Sequence, residues 1–159
     1  MAQARKVCAF LRARIISGRM KIILHEADKY VLRFNRGEEV LSALAGFCLA
    51  EGIEAASFQA IGACGEATVS FYNLREKKYE DSHLKENLEI INLTGNVSLL
   101  DSKPMVHAHV SLGDGNLQVK GGHAKKLVVS ATCEMALQKI RGWIERRPDE
   151  ETGLNLMNL

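Results

Sequence analysis

Two histidines stand two apart in the run P-M-V-H-A-H-V-S-L, at His107 and His109, and a third follows at His123 in G-G-H. Side chains alternate between the faces of a β-strand, so this spacing points the first two imidazoles to one side. Val106, Ala108, Val110 and Leu112 take the other. One face then packs as core while the opposite face offers nitrogen ligands. Neutral imidazole suits zinc, and also iron, nickel or copper; three such ligands leave a coordination position free for water or substrate.

Register decides whether His123 joins the pair. Asp114–Gly115 is a strong two-residue hairpin signal, which sets Leu112 opposite Leu117 and Val110 opposite Val119. Continued without a break, that register puts His123 opposite Val106, on the wrong face. One inserted residue corrects it. Gly121 and Gly122 are predicted to form a β-bulge, because glycine tolerates the positive φ that a bulge needs, and the bulge brings His123 opposite His107. A neutral, hydrogen-bonded histidine cluster is the competing reading. Glu89 and Glu134 sit mid-strand on polar faces, where either would accept the second N–H of a ligating imidazole. Their alternative is an exposed or salt-bridged strand position. His25 and His83 read as solvated surface residues.

The elements that carry these residues follow from hydrophobic periodicity. Residues 21–25 and 30–34 read as two short strands joined by a turn at Ala27, Asp28 and Lys29. From 38 to 51, Val40, Leu41, Leu44, Phe47 and Cys48 recur at helical spacing, with Glu38 and Glu39 in the first turn and Gly52 beyond the end. Residues 55–63, 67–72, 88–94, 97–100, 105–112, 117–120 and 127–137 read as strands, bounded by turns at Gly65, Gly95–Asn96, 113–116 and Gly121–Gly122. The run 138–147 is ambiguous between strand and helix. The expected fold is α+β: a mostly antiparallel, curved sheet of seven or more strands with one main helix.

Composition narrows the function classes. At 159 residues, 47% hydrophobic and 25% charged, the chain fits one globular domain, and disordered, collagen-like and coiled-coil classes are excluded. No stretch approaches the ~20 apolar residues that cross a bilayer. Cys8, Cys48, Cys64 and Cys133 form no C-x-x-C, and with no secretory leader they read as reduced thiols of a cytoplasmic protein. Cys48 lies on the buried helix stripe, and Cys64 reads as a structural thiol in a turn. Of 21 Lys and Arg, five fall in residues 1–19, which hold no acid; 16 remain against 19 Asp and Glu. The body is therefore mildly acidic, and residues 1–19 form a basic N-terminal extension ahead of a domain spanning 20–159. No P-loop, G-x-S-x-G or dinucleotide fingerprint offers another chemistry.

In order along residues 20–156 come Y-V-L-R-F-N-R-G-E-E-V, A-I-G-A-C-G-E-A, L-E-I-I-N-L-T-G-N-V-S, H-A-H-V-S-L-G-D-G, G-G-H-A, T-C-E-M and R-R-P-D-E-E-T-G-L. In this series the chain closely resembles the plants-and-prokaryotes-conserved (PPC) domain, which plants fuse to AT-hook motifs and which bacteria and archaea carry as a stand-alone protein. The resemblance implies an α+β fold assembled as a homotrimer, with His107, His109 and His123 in a small polar site associated with a metal ion in prokaryotic members. The family label of DNA binding transfers less well. Plant members owe minor-groove binding to an R-G-R-P-type core, and the nearest string here, S-G-R-M, lacks the flanking arginine and proline.

Three functions follow as expectations. The first is a homotrimeric assembly or regulatory protein carrying a three-histidine site for a divalent metal, zinc foremost, with another protein or a small ligand as partner. The second is DNA binding through the basic arm. The third is a metal-dependent enzyme, for which no substrate is legible.

Overall fold

The computed structural model describes residues 20–158. The chain opens with a hairpin, β1 (Lys21–Glu26) and β2 (Lys29–Asn35), whose turn places Ala27 in the left-handed region at φ 51°. Tyr30, Leu32 and Phe34 alternate inward on β2. The one helix among the described residues follows, α1 (Val40–Ala50), burying Val40, Leu41, Leu44, Phe47 and Cys48. Glu39 caps it from outside the first turn: its carboxylate accepts from the amides of Leu41 and Ser42, satisfying donors that the helix leaves orphaned. The same carboxylate accepts from Leu127 N at 3.0 Å, tying the cap to the sheet. Glu38 is buried and accepts from Asn35 N.

The remaining strands are β3 (Ala56–Asn73), β4 (Lys78–Leu84), β5 (Leu88–Leu100), β6 (Lys103–Gly113), β7 (Val119–Lys139), β8 (Glu145–Pro148) and β9 (Asn155–Asn158). They run in the order β1-β2-β7-β3-β5-β8-β9, with β4 on β3 and with β6 joining β5 to β7. The long strands β3, β5, β6 and β7 thus pair in a closed circuit, and every pairing in the sheet is antiparallel except β5 with β8. The core lies inside that circuit and beneath α1: Leu93 and Val97 of β5, Leu112 of β6, Leu127 and Met135 of β7, and Phe58 of β3.

The expected α+β architecture, with many strands and one helix, is therefore present, but several strand boundaries differ. Gly62 and Gly65, Gly95 and Gly121–Gly122 end no strand. They lie inside β3, β5 and β7 respectively. A Cβ at Gly62 would overlap the Thr132 carbonyl oxygen of β7, and one at Gly95 would overlap the His107 carbonyl oxygen of β6. These glycines let backbones cross closely where long strands bend, a second reason for glycine in a strand beside turn formation. Leu117, expected at a strand start, sits in the loop with φ 61°, and β7 begins at Val119. Residues 138–147 resolve into the end of β7, a short connection and the start of β8. The basic extension 1–19 and Cys8 lie outside the described residues.

Candidate metal centre

His107 and His109 project from the polar face of β6, while Ala108, Val110 and Leu112 are buried behind them. Across the hairpin, His109 pairs directly with His123 of β7. The expected bulge at Gly121–Gly122 is absent from this pairing, which runs unbroken from Gly113↔Val119 to His109↔His123. The loop does its work instead. Five residues, 114–118, separate the strands rather than two, and the Asp114 carboxylate accepts from Asn116 N and Gln118 N to hold that wider turn. A register shift of three residues reverses the face as one inserted residue would. Gly121 and Gly122 serve close packing: added Cβ atoms would stand 2.7 Å from Val110 O of β6 and from Ser70 O of β3.

The three imidazoles form one cluster. Their candidate ligand nitrogens all lie within 4.8 Å of one another, and ring centroids are separated by 5.5 Å (His107–His109), 5.2 Å (His107–His123) and 5.6 Å (His109–His123). A divalent ion ligated at ~2.1 Å spaces tetrahedral nitrogens by about 3.4 Å, so modest side-chain rotation closes the set. Burial pushes the His123 pKa down to about 4 and lowers that of His107, Arg146 adding to the effect at His107. Both rings are thus neutral at pH 7, the form that ligates. His123 Nδ1 is buried without a hydrogen-bond partner among the described residues, a deficit that costs free energy unless something fills it. The donor set and the orphaned nitrogen both fit a transition-metal ion.

The surroundings of the cluster escaped the sequence reading. Tyr79 of β4 packs its ring on His123 at 4.8 Å, and Lys125 stands 4.7 Å over the Tyr79 ring. Asp81 accepts from Lys125 Nζ and from Ser70 Oγ, both at 2.7 Å; these bonds hold its carboxyl below the usual range. Arg146 of β8 reaches His107 Nδ1 with Nη2 at 3.4 Å, and the same Nη2 donates to Asn96 Oδ1 at 2.9 Å. Its Nε donates to Ser98 Oγ and its Nη1 to Asn155 O.

The two glutamates expected beside the histidines lie elsewhere. Glu89 pairs with Gly113, four positions along β6 from His109, and lines a hollow of about 540 Å³ with Arg36, Ser130 and Ala131. Glu134 is exposed on β7 opposite Arg33 of β2. None of the hydrogen bonds described for the cluster reaches either carboxylate. His25 and His83 are exposed as expected, though each has a local partner: His25 stacks on Tyr30 at 4.0 Å, and His83 Nδ1 shares a hydrogen bond with Thr68 Oγ1. Cys64 lies within β3 rather than in a turn and is buried, as are Cys48 and Cys133.

Solved structures share this architecture. A metal-containing protein from Archaeoglobus fulgidus is 38% identical with a TM-score of 0.79, the match covering 87% of this chain and 98% of that one. A plant- and prokaryote-conserved protein from Pyrococcus horikoshii is 37% identical, with a TM-score of 0.79 over 91% of this chain and 98% of its own. A protein from Bacteroides thetaiotaomicron, provisionally described as DNA-binding, is 31% identical with a TM-score of 0.82, covering 85% and 94%. Among curated proteins no relative matches. The Plants and Prokaryotes Conserved (PCC) domain pattern matches residues 24–141, and the chain belongs to that family.

Proposed function

We propose that this protein is a metal-binding assembly or regulatory protein, holding one divalent transition-metal ion per chain, zinc foremost, on His107, His109 and His123. The observation that carries the reading is the convergence of three imidazoles whose ligand nitrogens lie within 4.8 Å, one of them with a buried, unpartnered Nδ1. The similarity to a metal-containing archaeal protein supports it. The histidines would ligate as neutral donors, and a bound ion would supply Lewis acidity at its remaining position. The chain's own groups then shape access to that position: Tyr79 walls one side at His123, and Arg146 borders the other at His107.

Homotrimeric association belongs to the same proposal. The apolar side chains of Ile61, Phe71 and Trp143 stand more than 60% exposed on one chain, surface that cyclic closure would cover. Residues 1–19 are proposed as an extension ahead of the domain. DNA binding is the second reading, favoured by the provisional description of the Bacteroides relative.

Elemental analysis of purified wild-type protein beside His107→Ala tests the metal reading. About one equivalent of a single transition metal is expected in the wild type, with most of it lost in the variant. Equal, trace metal in both forms, after dialysis against zinc, overturns it.

A further inference from the structure

The R-R-P motif near the C-terminus delivers Arg146 to the histidine cluster, and the charge of this residue is unexplained by packing alone. Arg146 is 8% exposed. Its described hydrogen-bond partners are all neutral: Ser98 Oγ, Asn155 O, Asn96 Oδ1 and His107 Nδ1. Among the described residues no carboxylate lies within ion-pair distance of its guanidinium, whereas Lys125 and Asp81 nearby satisfy each other. A buried guanidinium normally takes a carboxylate or phosphate partner, because desolvating an uncompensated charge is costly. Its anchoring role, pinning β8 to β5, would be served by an uncharged donor.

We infer that the open side of the three-histidine cluster takes a small oxyanion, a carboxylate or a phosphate, with Arg146 as its protein donor. The inference rests on the proposed metal site for its full strength, since three neutral ligands and a divalent ion beside Arg146 leave the nook strongly positive. It does not depend wholly on it, because the unpaired guanidinium is present in the chain itself. Arg146 Nη2 stands 3.4 Å from His107 Nδ1, the longest of its contacts, so an anion seated beside the cluster would accept from that N–H while the other three bonds hold the guanidinium in place. Tyr79, packed near His123 and itself under Lys125, which pairs with Asp81, borders the cluster on the His123 side.

Isothermal titration of inorganic phosphate, and separately of succinate, into zinc-loaded and EDTA-treated protein tests this, with metal content measured on each sample. Binding of at least one anion to the zinc-loaded wild type is expected, weakened about tenfold in Arg146→Gln, and the arm that binds tighter names the oxyanion. Failure of both anions to bind the wild type, or unchanged affinity in Arg146→Gln, overturns the inference. Thermal melts check the fold of the variant. If Arg146→Gln does not fold, Ser98→Ala, which frees Nε from its anchor, is expected to weaken binding about threefold, and unchanged affinity there overturns the inference equally. If the wild type retains no zinc, the metal reading falls by itself. The EDTA-treated protein then decides the anion site: binding lost in the Arg146 or Ser98 variant upholds it, and no binding overturns it.

Discussion

At the scale of single residues, burial sets the chemistry of the described cysteines. Desolvation pushes the thiols of Cys48 and Cys133 up to about 12 and that of Cys64 up to about 11. The thiolate is the reactive form. At pH 8 these three sites are therefore expected to stay silent toward an aromatic disulfide reagent in folded protein and to react fully in denaturant, measured by thiolate release in a Cys8→Ser background. Rapid labelling of any of them in the folded state contradicts this. Glu39 offers a second residue-scale test. Its carboxylate accepts from Leu41 N, Ser42 N and Leu127 N, so Glu39→Ala removes a helix cap and leaves a sheet amide unpaired. A loss of about 2 kcal/mol in urea unfolding is expected, and Glu39→Gln should recover part of it. His107 and His109 were legible because alternation on a strand is a short-range rule, needing only the residues between 106 and 112, whereas His123 reaches them through the register set by the loop 114–118 and not through the expected bulge. Arg146, Asn96 and Tyr79 were not: they reach the cluster from β8, β5 and β4, and no local pattern announces a contact across 39 residues of chain.

At the scale of elements, glycine separates what was readable from what was not. The helix 38–51 and the first hairpin stood out because period and turn chemistry agreed, and both formed within two residues of their expected bounds. Gly65, Gly95 and Gly121–Gly122 read as turns in the sequence yet lie inside strands, since in isolation a strand glycine and a turn glycine look alike. What distinguishes them is a backbone crossing that only the assembled sheet contains. The same reasoning predicts opposite signs for one substitution. Gly95→Ala drives a methyl into the His107 carbonyl oxygen and the Phe58 ring; a loss of roughly 3 kcal/mol or more is expected, with insoluble protein as its extreme. Gly46 lies mid-helix on an exposed face, with nothing within 4 Å of an added Cβ. Gly46→Ala is expected to raise stability by about 0.5–1 kcal/mol. Chemical denaturation of both variants reads the contrast, and a stable Gly95→Ala protein would remove the close-crossing account.

At the scale of the whole molecule, charge and exposed edges decide between the two readings of function. Among the described residues strand β4 pairs only with β3 and β1 only with β2, and edges left open in this way invite a partner. A homotrimer would answer that need, and sedimentation should then show a single species of three chain masses that persists after residues 1–19 are removed. DNA binding makes a different demand. Of the 21 basic residues, the 16 outside the first nineteen are outnumbered by 19 acidic ones, so the domain by itself repels a phosphate backbone. Contacts to DNA would have to come from the five cations of residues 1–19, multiplied by the number of chains in the assembly. Phosphate contacts release counterions, and affinity falls steeply with salt in proportion to their number. If the arm binds DNA, the full chain should retain duplex DNA at about 50 mM salt with a steep salt slope, and a form starting at Met20 should lose it entirely. No retention by either form removes DNA binding and leaves the metal-centred reading. Equal retention by both would place the contacts on the body, against its excess of 19 acidic over 16 basic residues.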